Sequence, residues 1–441
     1  MNPLLFGVLM FGMLFLAIFL GHPLAFSLGG LAVIFGYIGL GPKVFILFSS
    51  RIFDIINNYN LVAVPLFVLM AQFLTQSGIA DELFYSMRYL FGRLRGGLGV
   101  SVILVSTIFA ACTGVIGASV TTMGILAIPM LLKYGYKKEI STGLVCAGGT
   151  LGVIIAPSIM LVVMASEASL SVGKLFLSSL IPGFMLSGLY ILYTLVVCWL
   201  KPDVGPALSL EEIKELQKIS TLEKLISIAK NLVAPAILIV GVLGSIFMGI
   251  ATPTEASGVG AFLAFLMVLA YRKFTWEGLI SAFKETGLIS SMVFIILFGA
   301  TCFTGVFLSV GSGEAIKEAL IASGIGKWGI FLIMNLIIII LGMFIDWMGI
   351  VMIALPTFLP IAQAFGFDRL WFVTMIALNL QASFLTPPFG YALFYVKGVL
   401  PSGVSTSQVW RGVMPFIGII VLTLILCALF PEFILWLPSE L

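Results

Sequence analysis

Long, unbroken apolar runs, separated by short breaks rich in glycine, proline and small polar residues, set the pattern of this chain. A bilayer-spanning helix needs about 20 apolar residues in succession, whereas a membrane-spanning strand alternates apolar and polar positions. The runs here are continuous, so the pattern predicts helices. Spans are expected as a pair over 3–40 hinged at Gly21-His22-Pro23, and near 61–76, 171–200, 231–251, 253–271, 288–310 and 413–438. Two charged amphipathic stretches, Asp81–Arg95 and Arg272–Lys284, read as interfacial helices. The one long polar stretch, Lys201–Lys230, balances five acids against five lysines and casts no clear positive-inside vote.

Two blocks, 97–166 and 328–397, depart from the simple spanning pattern and are related to each other. A single ungapped offset of 231 residues places Pro129 on Pro360, Gly135 on Gly366, Tyr136 on Phe367, Lys138 on Arg369 and Pro157 on Pro388. Apolar residues match by chance; prolines, glycines and a basic residue in one register indicate an internal duplication. In each block an apolar segment meets a small or polar break, Thr113–Ser119 in the first and Asp346–Gly349 in the second. A second apolar segment returns to a charged turn, and a helix interrupted by proline follows, at Ala156-Pro157-Ser158 and Thr386-Pro387-Pro388. The first block's short segments suit a re-entrant hairpin whose tip stops inside the membrane.

Composition agrees with lipid as the surrounding medium. Of 441 residues, 61% are hydrophobic and 9% charged, against roughly a quarter charged in soluble domains. A net charge of +3, scattered along the chain, gives no nucleic-acid footprint. The five cysteines, at 112, 146, 198, 302 and 427, lack metal-ligand spacing and read as small packing residues. A single histidine, His22, leaves no nucleophile–base pair or metal triad for an enzyme, and a structural role is expected for it at the helix break. The first residues lack a basic region, and the run that follows is too long for a cleaved signal.

Broken helices inside a bilayer need a polar cavity to satisfy their backbone groups, and they expose helix N-termini for anions and carbonyls for hard cations such as sodium. Candidate ligands are Thr113, Ser119, Thr121, Thr122, Thr150 and Ser158 in the first block, and Asp346, Asn379, Gln381, Ser383 and Thr386 in the second. The alternative role for such groups is to tie helices together. Segments 97–132, 140–166, 328–364 and 370–396 contain no Lys or Arg, and Asp346 is their only charge. An anion there would be held by helix dipoles, amides and co-bound cations, which points to cation-coupled uptake. Asp346 reads both as a functional carboxylate and as an N-cap for the helix after it. Thr252-Pro253-Thr254-Glu255 reads as a capping box.

Three passages carry a family resemblance: Gly249–Ala256, Leu380–Gly390 with its Thr-Pro-Pro, and Gly148–Gly152 running to Ala156-Pro157-Ser158. Over nearly all of its length the chain resembles the large, DctM-like membrane subunit of tripartite ATP-independent periplasmic (TRAP) transporters. The resemblance implies an all-α polytopic, elevator-type carrier with two inverted repeats, each a re-entrant hairpin plus a proline-broken helix. It also implies sodium as coupling ion with no other cofactor, a multi-pass place in the bacterial inner membrane, and a small organic anion (a carboxylate) as cargo. Implied partners are a four-helix, DctQ-like small membrane subunit and a DctP-like periplasmic binding protein. The second reading is a stand-alone sodium/dicarboxylate symporter of similar architecture.

On that reading the chain divides into N-terminal scaffold helices (1–80), an arm (81–96) and repeat 1 (97–166). Scaffold helices with the polar linker 201–230 follow (167–271), then a second arm (272–287) and a connecting helix and loop (288–327). Repeat 2 (328–397) and a C-terminal helix (398–441) complete it. Substrate and sodium would meet Thr113, Gly114, Gly117, Ser119, Thr150, Gly152, Pro157 and Ser158 in repeat 1. In repeat 2 they would meet Asp346, Gly349, Asn379, Ser383, Thr386, Pro387 and Gly390. The first tip, followed by Val120-Thr121-Thr122-Met123, departs from the sialic-acid branch, where an aspartate follows, and is similar to the branch labelled mannitol/chloroaromatic. Ala156-Pro157 stands where many relatives have Pro-Pro.

Overall fold

The computed structural model describes residues 2–208, 221–388 and 390–440, so much of the polar linker expected at 201–230 lies outside the described residues. Helices account for the elements found there, and eight are long and apolar enough to cross a bilayer. The N-terminal pair is α1 (Pro3–Phe19) and α2 (Leu24–Leu40), separated where Gly21 takes φ +84° and the His22 N–H reaches back to the Ala17 carbonyl at 3.1 Å. They are followed by α3 (Val44–Ile56), α4 (Ala63–Ser77) and the amphipathic α5 (Ile79–Phe91), the last matching the first interfacial stretch.

The first block folds as a hairpin, α6 (Gly97–Thr113) and α7 (Ile116–Lys133), then an interrupted helix, α8 (Lys138–Thr150) and α9 (Ile159–Glu167). Three helices come next: α10 (Val172–Leu200), α11 (Thr221–Ile239) and α12 (Pro253–Ala270). A long α13 (Trp276–Ser309) and a short α14 (Ser312–Ala322) lead into the second block. That block repeats the design with α15 (Lys327–Gly342), α16 (Trp347–Ala364), α17 (Arg369–Leu385) and α18 (Tyr391–Lys397). The chain ends in α19 (Thr406–Leu429) and α20 (Glu432–Ser439). The offset of 231 seen in the sequence maps both ends of α7 onto both ends of α16, and the start of α8 onto the start of α17. Gly135 and Gly366 share a positive φ, +79° and +73°, and the cis bonds Ala156–Pro157 and Pro387–Pro388 fall in the same register.

Packing sorts these helices into two bodies. In one, α13 lies against α2, α3 and α4, and α4 lies against α12. In the other, the two blocks interlock: α18 packs on the hairpin helix α7, and α9 packs on α16, so each broken helix completes the opposite hairpin. The expected division put α10 among the scaffold helices of 167–271; in the structure it packs with the two blocks. Hydroxyl pairs fasten it there, Thr107 with Ser187 at 2.6 Å and Ser178 with Thr374 at 2.7 Å. The C-terminal segment, expected as one helix, divides into α19 and α20, and α19 crosses α8 so closely that a Cβ on Gly143 would lie 2.3 Å from the Gly412 carbonyl oxygen. The division expected at 287 is likewise absent: α13 runs 34 residues, about 51 Å at 1.5 Å per residue. Its composition changes from polar to apolar, but no residue there breaks the backbone ladder. After α10 the chain folds back over the first block, where the Lys137 ammonium pairs with Asp203 and holds that carboxyl below its ordinary range, and the Lys137 N–H meets the Val204 carbonyl at 3.0 Å.

Candidate substrate and ion site

Each tip is a helix end forced to turn sharply against a neighbouring backbone. At the first, α6 stops at Thr113, whose hydroxyl lies 3.0 Å from the Phe109 carbonyl and 2.9 Å from the Ser119 hydroxyl. Gly114 follows at φ +62°, and a Cβ there would sit 2.8 Å from the Pro157 carbonyl oxygen. Glycine is required on both counts: a left-handed turn and a close backbone approach. Gly117, one turn later, is covered by the Tyr395 ring, 2.8 Å from where its Cβ would be. The interrupted helix packs directly against this tip. Thr150 donates to the Ala147 carbonyl (2.9 Å), Gly152 lies against the Ala110 backbone, and Ser158 donates to the Val153 carbonyl (2.7 Å) while capping α9.

The second tip uses the same contacts with different chemistry. Gly342 lies against Ser383 much as Ala110 lies against Gly152, and the two pairs are related by nearly the same offset. Ser383 reaches the Ile338 carbonyl at 3.3 Å, and Asn379 donates to the Asn335 carbonyl at 2.9 Å. Thr386 donates to the Ala382 carbonyl (2.7 Å) and ends α17. Asp346 caps α16, its Oδ1 accepting from the Gly349 N–H at 3.3 Å, so the capping reading of this carboxylate holds. Gly349 itself is covered by Leu24 of α2. The capping box expected at Thr252–Glu255 is also present, with the Thr252 N–H 2.8 Å from the Glu255 carboxylate.

Two adjoining cavities open at these tips and share Met292 and Tyr391 in their walls. The one at the first tip holds ≈ 400 Å³ and takes Gly114 and Gly117, with Thr121 and Thr122, from the expected residues. The one at the second tip holds ≈ 360 Å³ and takes Asp346 and Gly390, beside His22 of the break between α1 and α2. The remaining expected residues do not line either cavity. Thr113, Ser119, Thr150, Gly152, Pro157, Ser158, Asn379 and Ser383 are buried in the packing that shapes the tips, as are the half-buried Thr386 and Pro387. Gln381 is buried with neither atom of its amide hydrogen-bonded.

Sequence reasoning missed much of the wall, because it comes from the other body and the opposite block. Gln72 and Thr75 from α4, Glu285 from α13, Trp347 from α16, and Tyr391 and Tyr395 from α18 all line the first cavity. A signal for the first three exists: polar residues in otherwise apolar or helix-continuous segments deserve suspicion at membrane depth. The first turns of α7, α9 and α16 also face this cavity, through Ile116–Ala118, Ile159–Met160 and Trp347. Of these three N-termini, α9 is capped by Ser158 and α16 by Asp346, whereas α7 has no side-chain cap. Its first-turn N–H groups are therefore left for a ligand or water.

Comparison with known proteins agrees with this architecture. The model of the family "Tripartite ATP-independent periplasmic transporter, DctM component" matches residues 11–433. The C4-dicarboxylate TRAP transporter large permease protein DctM of Pseudomonas aeruginosa is 30% identical over 394 residues, 89% of each chain. The sialic acid TRAP transporter large permease protein SiaM of Vibrio cholerae is 30% identical over 96% of each. The crystal structure of the Alcanivorax borkumensis YdaH transporter shares the fold, with a TM-score of 0.64 at 14% identity, over 98% of this chain and 99% of that one. The chain thus belongs to the DctM family, the large permeases of tripartite ATP-independent periplasmic transporters, and is a non-enzymatic transport protein integral to the inner membrane.

Proposed function

We propose that this subunit carries a small organic anion, a carboxylate, inward with sodium, and that the anion binds in the cavity at the first tip. The carrying observation is the convergence of three helix N-termini, one of them uncapped, on a cavity whose walls hold no Lys or Arg. The uncapped N-terminus of α7 presents the equivalent of about half a positive charge, enough to favour a carboxylate in a low-dielectric site. The carboxylate class is supported by the names of relatives that carry C4-dicarboxylates or sialic acid.

Sodium fits the backbone beside the tips. The irregular segments between α8 and α9 and between α17 and α18 leave carbonyls outside regular helix, and hard cations take oxygen ligands of this kind. The hydroxyls of Thr113, Ser119, Thr150, Ser158, Ser383 and Thr386 are committed as donors or paired, but a donating hydroxyl keeps its lone pairs for a cation. Together with Asp346 and Asn379 they are the ligand set we assign. In this reading the body of α6–α10 and α15–α20 slides against that of α1–α4 and α11–α14 as an elevator. A DctQ-like small subunit would brace the scaffold, and a DctP-like binding protein would deliver the cargo.

Uptake into proteoliposomes, with the small subunit and binding protein from the same genetic neighbourhood and a panel of carboxylates, tests this. Accumulation driven by an inward sodium gradient, and lost when potassium replaces sodium, is expected. Accumulation indifferent to sodium would refute the coupling. Full activity without either partner would favour the stand-alone symporter.

A further inference from the structure

The wall that the scaffold body contributes to the first cavity has a polar end and an apolar end. From α4 come Val68, Gln72 and Thr75, and from α13 come Glu285, Ile289, Met292 and Val293. Each set follows the three-to-four spacing of one helix face. The Gln76 side-chain N–H donates to the Gly278 carbonyl at 2.8 Å, tying the C-terminal end of α4 to the N-terminal end of α13. Gln72, Thr75 and Glu285 therefore gather at one end, and Val68, Ile289, Met292 and Val293 line the other. Across from them stand the Thr121 and Thr122 hydroxyls and three aromatic rings, Trp347, Tyr391 and Tyr395. Of all these lining residues, Glu285 alone carries a full charge, and it is negative.

We propose that this cavity accepts a hydroxylated molecule carrying at most one negative charge and one apolar face, and that Glu285 is the residue that turns dianions away. The inference rests on the reading of this cavity as the substrate site and narrows its substrate class. A single carboxylate has a place at the uncapped start of α7. A second has none: the other two N-termini are already capped, and no cationic side chain lines the wall. What it meets instead is Glu285. Two like charges about 6 Å apart at an effective dielectric constant of about 20 weaken binding roughly 100-fold. Hydroxyls suit the same end, because a carboxylate accepts strong, charge-assisted hydrogen bonds from them. The aromatic rings offer faces for the CH side of a ring or chain, and the Val68–Met292 end offers apolar cover.

The test is thermal stabilisation of the purified membrane complex in saturating sodium, titrated with gluconate and galactonate as hydroxylated monoacids and with succinate as a dianion. The monoacids are expected to stabilise at concentrations about 100-fold below succinate. Glu285→Gln, at a position of α13 that is exposed in the isolated chain and expected to leave folding intact, should collapse that gap to less than 10-fold, chiefly by admitting succinate. Equal responses to succinate and the monoacids in the natural protein would overturn the proposal. So would a gap unchanged in Glu285→Gln, or no response to any of the three compounds while sodium still stabilises. Loss of the sodium effect with the Glu285-dependent gap intact would instead remove sodium coupling and leave the specificity reading standing.

Discussion

Gly342 offers a quantitative check on how the second tip is built. A Cβ at this position would lie 2.1 Å from Ser383 Cβ, 2.6 Å from Ser383 Oγ and 3.2 Å from Ser383 Cα. Carbon atoms in contact prefer 3.5–4.0 Å, so Gly342→Ala forces the α15 end of the hairpin about 1.5 Å away from α17. Overpacking of this kind costs about 1–3 kcal/mol, and the shift would also open the Ser383 contact with the Ile338 carbonyl. The obstruction is one residue, which makes it reversible. In Gly342→Ala with Ser383→Gly the two nearest atoms are gone and only the 3.2 Å approach to Cα remains, tight but tolerable. The double variant should recover to within ~1 kcal/mol of the natural protein, the residue being the cost of glycine near a helix end. Melting of the purified complex, with each single variant, gives the double-mutant cycle. Sodium titration of uptake then separates packing from ligation, since the double variant keeps the fold and lacks the hydroxyl. A Gly342→Ala protein as stable as the natural one, or a double variant no better than Gly342→Ala, would refute the close packing on which the tip depends.

Three further outcomes are expected. Asp346→Asn keeps a good N-cap for α16, because asparagine and aspartate cap equally well. Melting should therefore hold while the sodium requirement for uptake rises at least tenfold; equal loss of folded protein would leave Asp346 a cap and nothing more. Glu255→Gln preserves the reciprocal bonds with Thr252, so uptake and melting should both stay at natural levels, and abolished uptake in folded protein would move Glu255 into the transport machinery. With Cys112 and the other native cysteines replaced, Ala118→Cys and Trp347→Cys at the cavity should react with small hydrophilic thiol reagents. Ile125→Cys, on an apolar face 57% exposed in the isolated chain and covered by lipid in a bilayer, should not; labelling of Ile125→Cys as fast as of the cavity positions would place water where we place lipid.

Some of this protein is written in local patterns. Pro129 with Pro360, Gly135 with Gly366, and Pro157 with Pro388 announced a duplication, and the helix ends respect the same register. Asp346 and Thr252–Glu255 announced caps, which are bonds between residues three apart and need no tertiary information. Gly114 was legible as a tip residue and Gly390 as part of the proline-broken helix, since backbone that turns back needs φ values open to glycine. The residues that form the cavity wall were another matter. Ser119, Ser158 and Ser383 lie in the packing around the tips and not on the cavity wall; Glu285 stood out only as a polar residue in a long helix, and Tyr395 had no motif to mark it.

Sequence alone determined that the chain is helical and lies in lipid, where its helices break, and that it contains two related blocks. In a bilayer each backbone N–H and C=O must find its partner within the same segment, so helices and their interruptions are settled by composition and by a few prolines, glycines and caps. Only the tertiary structure decided that α10 and α19 join the two blocks, that α18 completes the first tip and α9 the second, and that α4 and α13 supply a polar wall with one carboxylate. Between helices in lipid there is no hydrophobic driving force to read from hydropathy; association follows close shape fit and scattered hydroxyl pairs such as Thr107 with Ser187. Those contacts join residues 80 or more positions apart, and the side chains on either side carry no sign of their partner until the fold brings them together.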